Sequence, residues 1–141
     1  MTRGEVVAEA VTWIGTPYHA RACIKGVGAD CALFPFAVYQ AVGGIPADVA
    51  PPVYTASWMQ HRDEEEFLGW VRRFAREIER EAVGPGDFAI WKYGRTFSHG
   101  AIVVAPPVIV HAVIVGRGVI RGDMDRDIDL VGRPARFFTL F

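Results

Sequence analysis

The sequence predicts an α+β fold, helices packed on an antiparallel sheet, and three observations predict it. Apolar residues recur at helical spacing near the start of the chain and again between Phe67 and Ile78. From Gly84-Pro85-Gly86-Asp87 onward the period changes to two, with β-branched and aromatic residues between turn signals. Helices therefore come first and a meander follows, an order that separates the two kinds of element and argues against alternating α/β units.

Val6, Val7, Ala10, Val11 and Ile14 form one stripe, so a first helix is expected over Arg3–Trp13, stopping before Gly15-Thr16-Pro17. A glycine-containing loop leads to Asp30. The second helix is expected from Cys31 to Val42, ended by Gly43-Gly44, and its apolar residues on all sides mark it as buried. Pro35 falls near its first turn, where a missing N–H costs least. Ile45–Trp58, with Pro46, Pro51 and Pro52, reads as an ordered excursion held by Val53, Tyr54 and Trp58.

A third helix is expected from the stripe Phe67, Leu68, Val71, Phe74, Ala75 and Ile78, with Glu64, Arg72, Arg73, Glu77 and Arg80 outside and Arg62–Glu66 as a solvated first turn. Strands are expected at Phe88–Lys92, His99–Val104, Val108–Val115, Gly118–Arg121 and Ala135–Leu140. At 141 residues and 51% hydrophobic content, residues 1–141 are expected to fold as a single domain with its own core.

A net charge of −1 gives no electrostatic case for nucleic acid. The N-terminal decapeptide alternates charged and apolar residues and lacks the apolar core of a signal peptide, and no apolar run reaches membrane-spanning length. No membrane anchor is expected, and synthesis in a bacterial cytoplasm is. Two cysteines eight residues apart make no disulfide framework, and the Cys23/Cys31 spacing matches no standard zinc pair. Gly26-Val27-Gly28 lacks the later glycine and lysine of a phosphate loop. Neither metal nor cofactor is expected.

The chemistry-bearing stretch is Gly26-Val27-Gly28-Ala29-Asp30-Cys31, running straight into an apolar helix. A thiol at a helix N-terminus feels unpaired N–H groups and partial positive charge, which favour the thiolate, and Asp30 can cap the same helix. Downstream, His99 and His111 lie in β-branched runs. A thiol nucleophile needs a base, and the base needs a third group to fix its tautomer; Cys31, His99 and His111 can fill those roles. The two histidines share a sheet face only if paired residue numbers sum to an even value. Ala105-Pro106-Pro107 as a three-residue loop sets His111 opposite Ala101 and beside His99, whereas an even loop separates them. Tyr18, ahead of the cysteine loop, could donate to an oxyanion beside the Cys31 N–H. His19 and His61 are isolated and expected at the surface. Taken singly each residue has an ordinary structural explanation; together they point to a thiol hydrolase.

These segments resemble the NlpC/P60 family of papain-like cysteine peptidases, most of all the short versions encoded among phage tail genes and gene transfer agents. The resemblance rests on Trp13–Tyr18, Lys25–Ala32, Gly84–Trp91, Ser98–Val103 and Val110-His111-Ala112, and spans almost the whole chain. It implies a papain-like fold, with Cys31 as nucleophile, His99 as base and then acid, His111 orienting it, and Tyr18 near the oxyanion. It also implies the substrate, a peptidoglycan stem peptide cut between D-γ-glutamate and the diamino acid, with Asp30 able to pair with its free amine. Many members have Ser-Gly after Asp-Cys where this chain has Ala32-Leu33; phage-tail versions often lack the serine.

The expectation is a thiol endopeptidase carried in a virion, on a phage tail tip or phage-like particle, acting in the periplasm or cell wall with tail hub or baseplate proteins as partners. The alternatives are a structural tail-tip hub or adaptor that keeps the fold with little catalysis, and acyl transfer to an acceptor other than water.

Overall fold

The computed structural model describes residues 1–52 and 65–141. The expected packing of Val53, Tyr54 and Trp58, the position of His61 and the start of the charge run lie outside them. Helix α1 spans Arg3–Thr12 and opens with a capping box, Thr2 accepting from the Glu5 N–H while the Glu5 side chain accepts from the Thr2 N–H. Helix α2 spans Leu33–Ala41, two residues shorter at its start than expected. The preceding turn is already closed by Asp30, whose carbonyl accepts from the Phe34 N–H at 3.0 Å. Pro35 is the third residue of α2 and is buried.

The third helix ends earlier than expected: among the described residues α3 spans Glu65–Val71, and the chain then turns into strand β3, Arg76–Ile78. Phe67, Leu68 and Val71 enter the core from α3, while Phe74 and Ala75 pack on the same core from outside it. Phe74 and Ala75 do so from the turn after α3, while Ile78, the last residue of the stripe, sits on β3 and packs against a separate apolar cluster, where β3 gains backbone pairing with the edge of the sheet.

Two short strands, β1 (Cys23–Ile24) and β2 (Gly28–Ala29), pair in the loop before α2. The main sheet adds β4 (Phe88–Tyr93), β5 (Thr96–Ala105), β6 (Val108–Val113), β7 (Gly118–Asp123) and β8 (Ala135–Thr139). It is antiparallel, in the order β3-β8-β4-β5-β6-β7, so the five expected strands are joined by a sixth. Strand β6 stops at Val113; Ile114 and Val115, expected in it, are exposed in the following turn.

The sheet buries both faces, and alternation sorts its residues. Phe88, Ile90, Ile102, Val110, Ala112, Val119 and Phe138 pack with Val6, Ala10, Phe34 and Val38 of α1 and α2. Ala89, Trp91, Ala101, Val103, Ile109 and Phe137 form a second cluster on the other face, with Met124 and Leu130 from the β7–β8 connection. The Gly84–Asp87 turn ties the layers together. Buried Asp87 receives Arg3 Nη1 at 2.9 Å and the Gly84 N–H at 2.8 Å, while the Tyr39 hydroxyl donates to the Gly86 carbonyl at 2.8 Å.

The β5–β6 loop differs from expectation in an instructive way. Ala105 pairs with Val108, so the loop is the even pair Pro106-Pro107, yet Ile102 faces Val110 and Val103 faces Ile109. The register shift between Val103 and Ala105 makes Val104 an extra residue, which restores the even sum. That register projects His111 opposite Ala101, as expected, by a bulge rather than a three-residue loop.

Phe34 is fully buried with its ring 5.8 Å from Trp13, so Phe34→Ala should lower unfolding free energy by about 3–5 kcal/mol. Ile128→Ala, at a site 90% exposed, should change it by less than about 0.5 kcal/mol. Urea denaturation of the two variants checks the assignment of core and surface.

Candidate active site

Cys31 occupies the first turn leading into α2. The Asp30 carboxylate accepts from the N–H groups of Ala32 at 3.1 Å and Leu33 at 2.8 Å, the pattern of a helix N-cap. Its other oxygen accepts from the Arg21 N–H at 2.7 Å, pinning the loop before the cysteine. Asp30 is buried and committed to backbone donors, so its first role is to hold the turn that carries the thiol.

Tyr18 is held from both sides. Its N–H donates to the Arg117 carbonyl, and the chain bridges to Gly118 through Pro17 and to Ala29 through Tyr18. This lays the Tyr18 hydroxyl against the Cys31 sulfur.

His99 and His111 sit on the sheet face away from the helices, in the alternation of Ala101 and Ile109. Their rings touch: His99 Nε2 and His111 Nδ1 are 2.8 Å apart, and both residues are buried. A second bulge lets the thiol, which comes from the helix side, meet them. Trp91 pairs with His99 and Lys92 with Phe97, leaving Ser98 as the extra residue of β5. The Cys31 thiol donates to the Ser98 carbonyl at 3.5 Å. The strand can come this close because residue 100 is glycine; a Cβ there would lie 2.7 Å from Phe88 Cε2 and 3.1 Å from the Cys31 carbonyl oxygen.

Tyr18, Cys31, Tyr93, Ser98, His99 and Asp129 line a cleft of about 240 Å³ at this end of the sheet, with Ile114 and Val115 on its wall. Structure thus brings together four of the five residues singled out from sequence around one cleft or one ring contact, with Asp30 directly beneath them. Sequence reasoning missed Tyr93, whose ring lies 5.0 Å from His99 and is covered by the Arg133 guanidinium at 3.8 Å. It also missed Asp129; no sequence signal separated it from other aspartates of a polar connection. Cys23 lies on β1 opposite Ala29, and His19 is exposed.

The electrostatics correct one expectation. A thiolate favoured by the helix start was expected, but burial, reinforced by the neighbouring Asp30 charge, pushes the Cys31 thiol up to about 12. The Tyr18 hydroxyl and the N–H groups of Cys31 and Gly100 oppose that shift without reversing it. Burial pushes His99 down to about 3, aided by the positive charge of His111 and Arg133. It pushes His111 down to about 4 against the pull of Asp127 and Asp129. At neutral pH the resting pair is thus a thiol and a neutral imidazole. With Nε2 of His99 engaged by His111, Nδ1 is the nitrogen able to exchange a proton with the thiol.

No protein-family model matches the sequence, and no curated protein matches it. Solved structures do. The NlpC/p60 domain of the peptidoglycan hydrolase SagA aligns with TM-score 0.63 and 22% identity, over 96% of this chain and 97% of that one. An NlpC/P60 family protein from Bacillus cereus aligns with TM-score 0.67 and 17% identity, over 96% of this chain and 39% of that one. RipD from Mycobacterium tuberculosis, a non-catalytic NlpC/p60 domain protein adapted to peptidoglycan binding, aligns with TM-score 0.62 and 11% identity, over 99% and 97%. The chain has the NlpC/P60 fold, which peptidoglycan hydrolases and a non-catalytic relative share.

The buried histidines also set a pH dependence of stability. Both are depressed in the folded state from an ordinary value of 6.5, so between about pH 4 and 6.5 the unfolded chain binds more protons. Their contribution is complete above that window and is lost as pH falls through it. The urea midpoint should drop from pH 7 to pH 4.5, and less steeply in His111→Gln, which lacks one of the two titrating rings.

Proposed function

We propose that this chain is an NlpC/P60-family thiol endopeptidase that hydrolyses peptidoglycan stem peptides between D-γ-glutamate and the diamino acid. The observation that carries the reading is the single cleft lined by Cys31, Tyr18 and His99, with His111 in contact behind His99. In this reading His99 Nδ1 takes the Cys31 proton as sulfur attacks the carbonyl carbon, and the oxyanion is met by the Cys31 N–H and the Tyr18 hydroxyl. The proton passes from His99 to the departing amine, leaving a thioester. Water, deprotonated by His99, then releases the acid and restores the thiol. His111 holds the His99 ring through the contact between His99 Nε2 and its own Nδ1. The likeness of the motif series also assigns Asp30 a contact to the free amine of the stem, beyond the backbone N–H groups its carboxylate already accepts from.

The setting we propose is a phage tail tip or related particle, with tail hub or baseplate proteins as partners. Its support is the likeness of the motif series to short phage-tail peptidases. No helix among the described residues is long and apolar enough to cross a membrane. A second reading is favoured by the raised thiol and by the non-catalytic RipD: a peptidoglycan-binding or structural component with the same fold.

Mass spectrometry of Gram-negative-type peptidoglycan, incubated under reducing conditions, separates the two. The peptidase reading expects new stem-peptide fragments from the native protein and none from Cys31→Ala, and the fragments identify the bond. Fragments from neither protein would favour the binding reading. Among active-site variants, His99→Ala should lose more activity than His111→Ala, since only His99 moves the proton. Because the neutral imidazole persists far below 6.5, kcat/KM should hold level down to about pH 5. A limb near pH 6.5 would show that His99 titrates like an ordinary histidine.

A further inference from the structure

We propose that Asp127 is a positioning residue that completes a relay Cys31–His99–His111–Asp127 by fixing the ring proton of His111 on Nε2. The inference rests on the peptidase reading above and deepens it. For His99 to accept the thiol proton on Nδ1, its own proton must lie on Nε2 and be donated to His111 Nδ1, across the 2.8 Å contact. A neutral His111 must then carry its proton on Nε2. That nitrogen is buried and has no hydrogen-bond partner among the described residues, an unfavourable state for a donor. Asp127 Oδ2 lies 3.9 Å from it, close enough for a small rotation of the carboxylate to complete the bond.

Two further observations show that this juxtaposition is built. Gly122 lies between the groups, and a Cβ there would sit 2.6 Å from both His111 Nε2 and Asp127 Oδ2. Any other residue would block the approach. Asp127 is also held from its own side: its Oδ2 accepts from the Asp123 N–H at 3.0 Å, and its N–H donates to the Asp123 carbonyl at 3.0 Å. Buried Met124 and Leu130 anchor the chain on either side of it.

The charged and titratable groups around His111 are His99 from β5, Arg121 from β7, and Asp127 and Asp129 from the β7–β8 connection, while Arg133 acts on His99. The two carboxylates favour a positive His111, so as charge builds on His99 in the reaction, His111 and Asp127 share it. Asp127 touches neither thiol nor cleft wall; it acts through the ring.

The test compares Asp127→Asn, Asp127→Ala and Asp127→Glu with the native protein in two readouts. Nitrogen-15 NMR of the imidazoles reports the His111 tautomer, and stem-peptide cleavage across pH gives kcat and KM. The proposal expects His111 protonated on Nε2 in the native protein, loss of that preference in the Asn and Ala variants, and partial return in Glu. It expects kcat to fall on the order of tenfold in Asn with KM unchanged. An unaltered tautomer in Asp127→Asn, or kcat within twofold of native, overturns it. Asn keeps the shape of the side chain, so a folding failure in Ala leaves the isosteric variant to decide. Should the native protein cut no peptidoglycan, the peptidase reading falls, and the tautomer comparison still decides the placement by Asp127.

Discussion

Everything at the cleft depends on two extra residues in one strand. In a pleated sheet, side chains alternate strictly, so a single added residue transfers all that follow to the opposite face. Strand β5 has two, Ser98 and Val104. Val104 offsets the two-residue Pro106-Pro107 loop and keeps His111 on the same face as His99. Ser98 separates Phe97, which packs with the helices, from His99, which packs away from them. With either bulge missing, the same side chains would be present and would not meet.

The bulge at Ser98 also explains how a thiol from one layer meets an imidazole from the other. At the open end of the sheet the two layers converge, and Gly100 admits the cysteine loop against the strand. This closeness excludes water, and the exclusion drives both groups toward neutrality. Such a site stores no ready-made ion pair; on the peptidase reading proposed above, its charge separation is raised when substrate closes the cleft, with the Tyr18 hydroxyl, two backbone N–H groups and the second imidazole beside it.

Much of this was legible in the sequence because the relevant signals are local. Asp30 before Cys31 announces a capped helix start, the Gly84–Asp87 turn announces the change of period, and the β-branched runs around His99 and His111 announce strands. What was not legible is non-local. The helical stripe runs on to Ile78, yet residues 76–78 pair with β8, since an edge strand offers backbone partners that periodicity does not record. Val104 looks like any strand valine until the loop beside it is known. Asp127 and Asp129 sit in a charge-rich connection without periodicity, and only the fold turns that connection back over the second histidine. The thiol was misjudged for the same reason: helix-end electrostatics is local, but the burial that outweighs it comes from distant β4 and β5.

The wide sequence separation of the thiol and the two rings has a consequence for synthesis. Cys31 and Tyr18 emerge from the ribosome well before His99 and His111, and the connection bearing Asp127 comes last but for β8. A nascent or truncated chain ending anywhere before β5 carries Cys31 without His99 or His111. The cleft exists only once the sheet has closed on the earlier helices, so, on the peptidase reading proposed above, the order of translation leaves a partial chain without its proton acceptor until the last strands are in place.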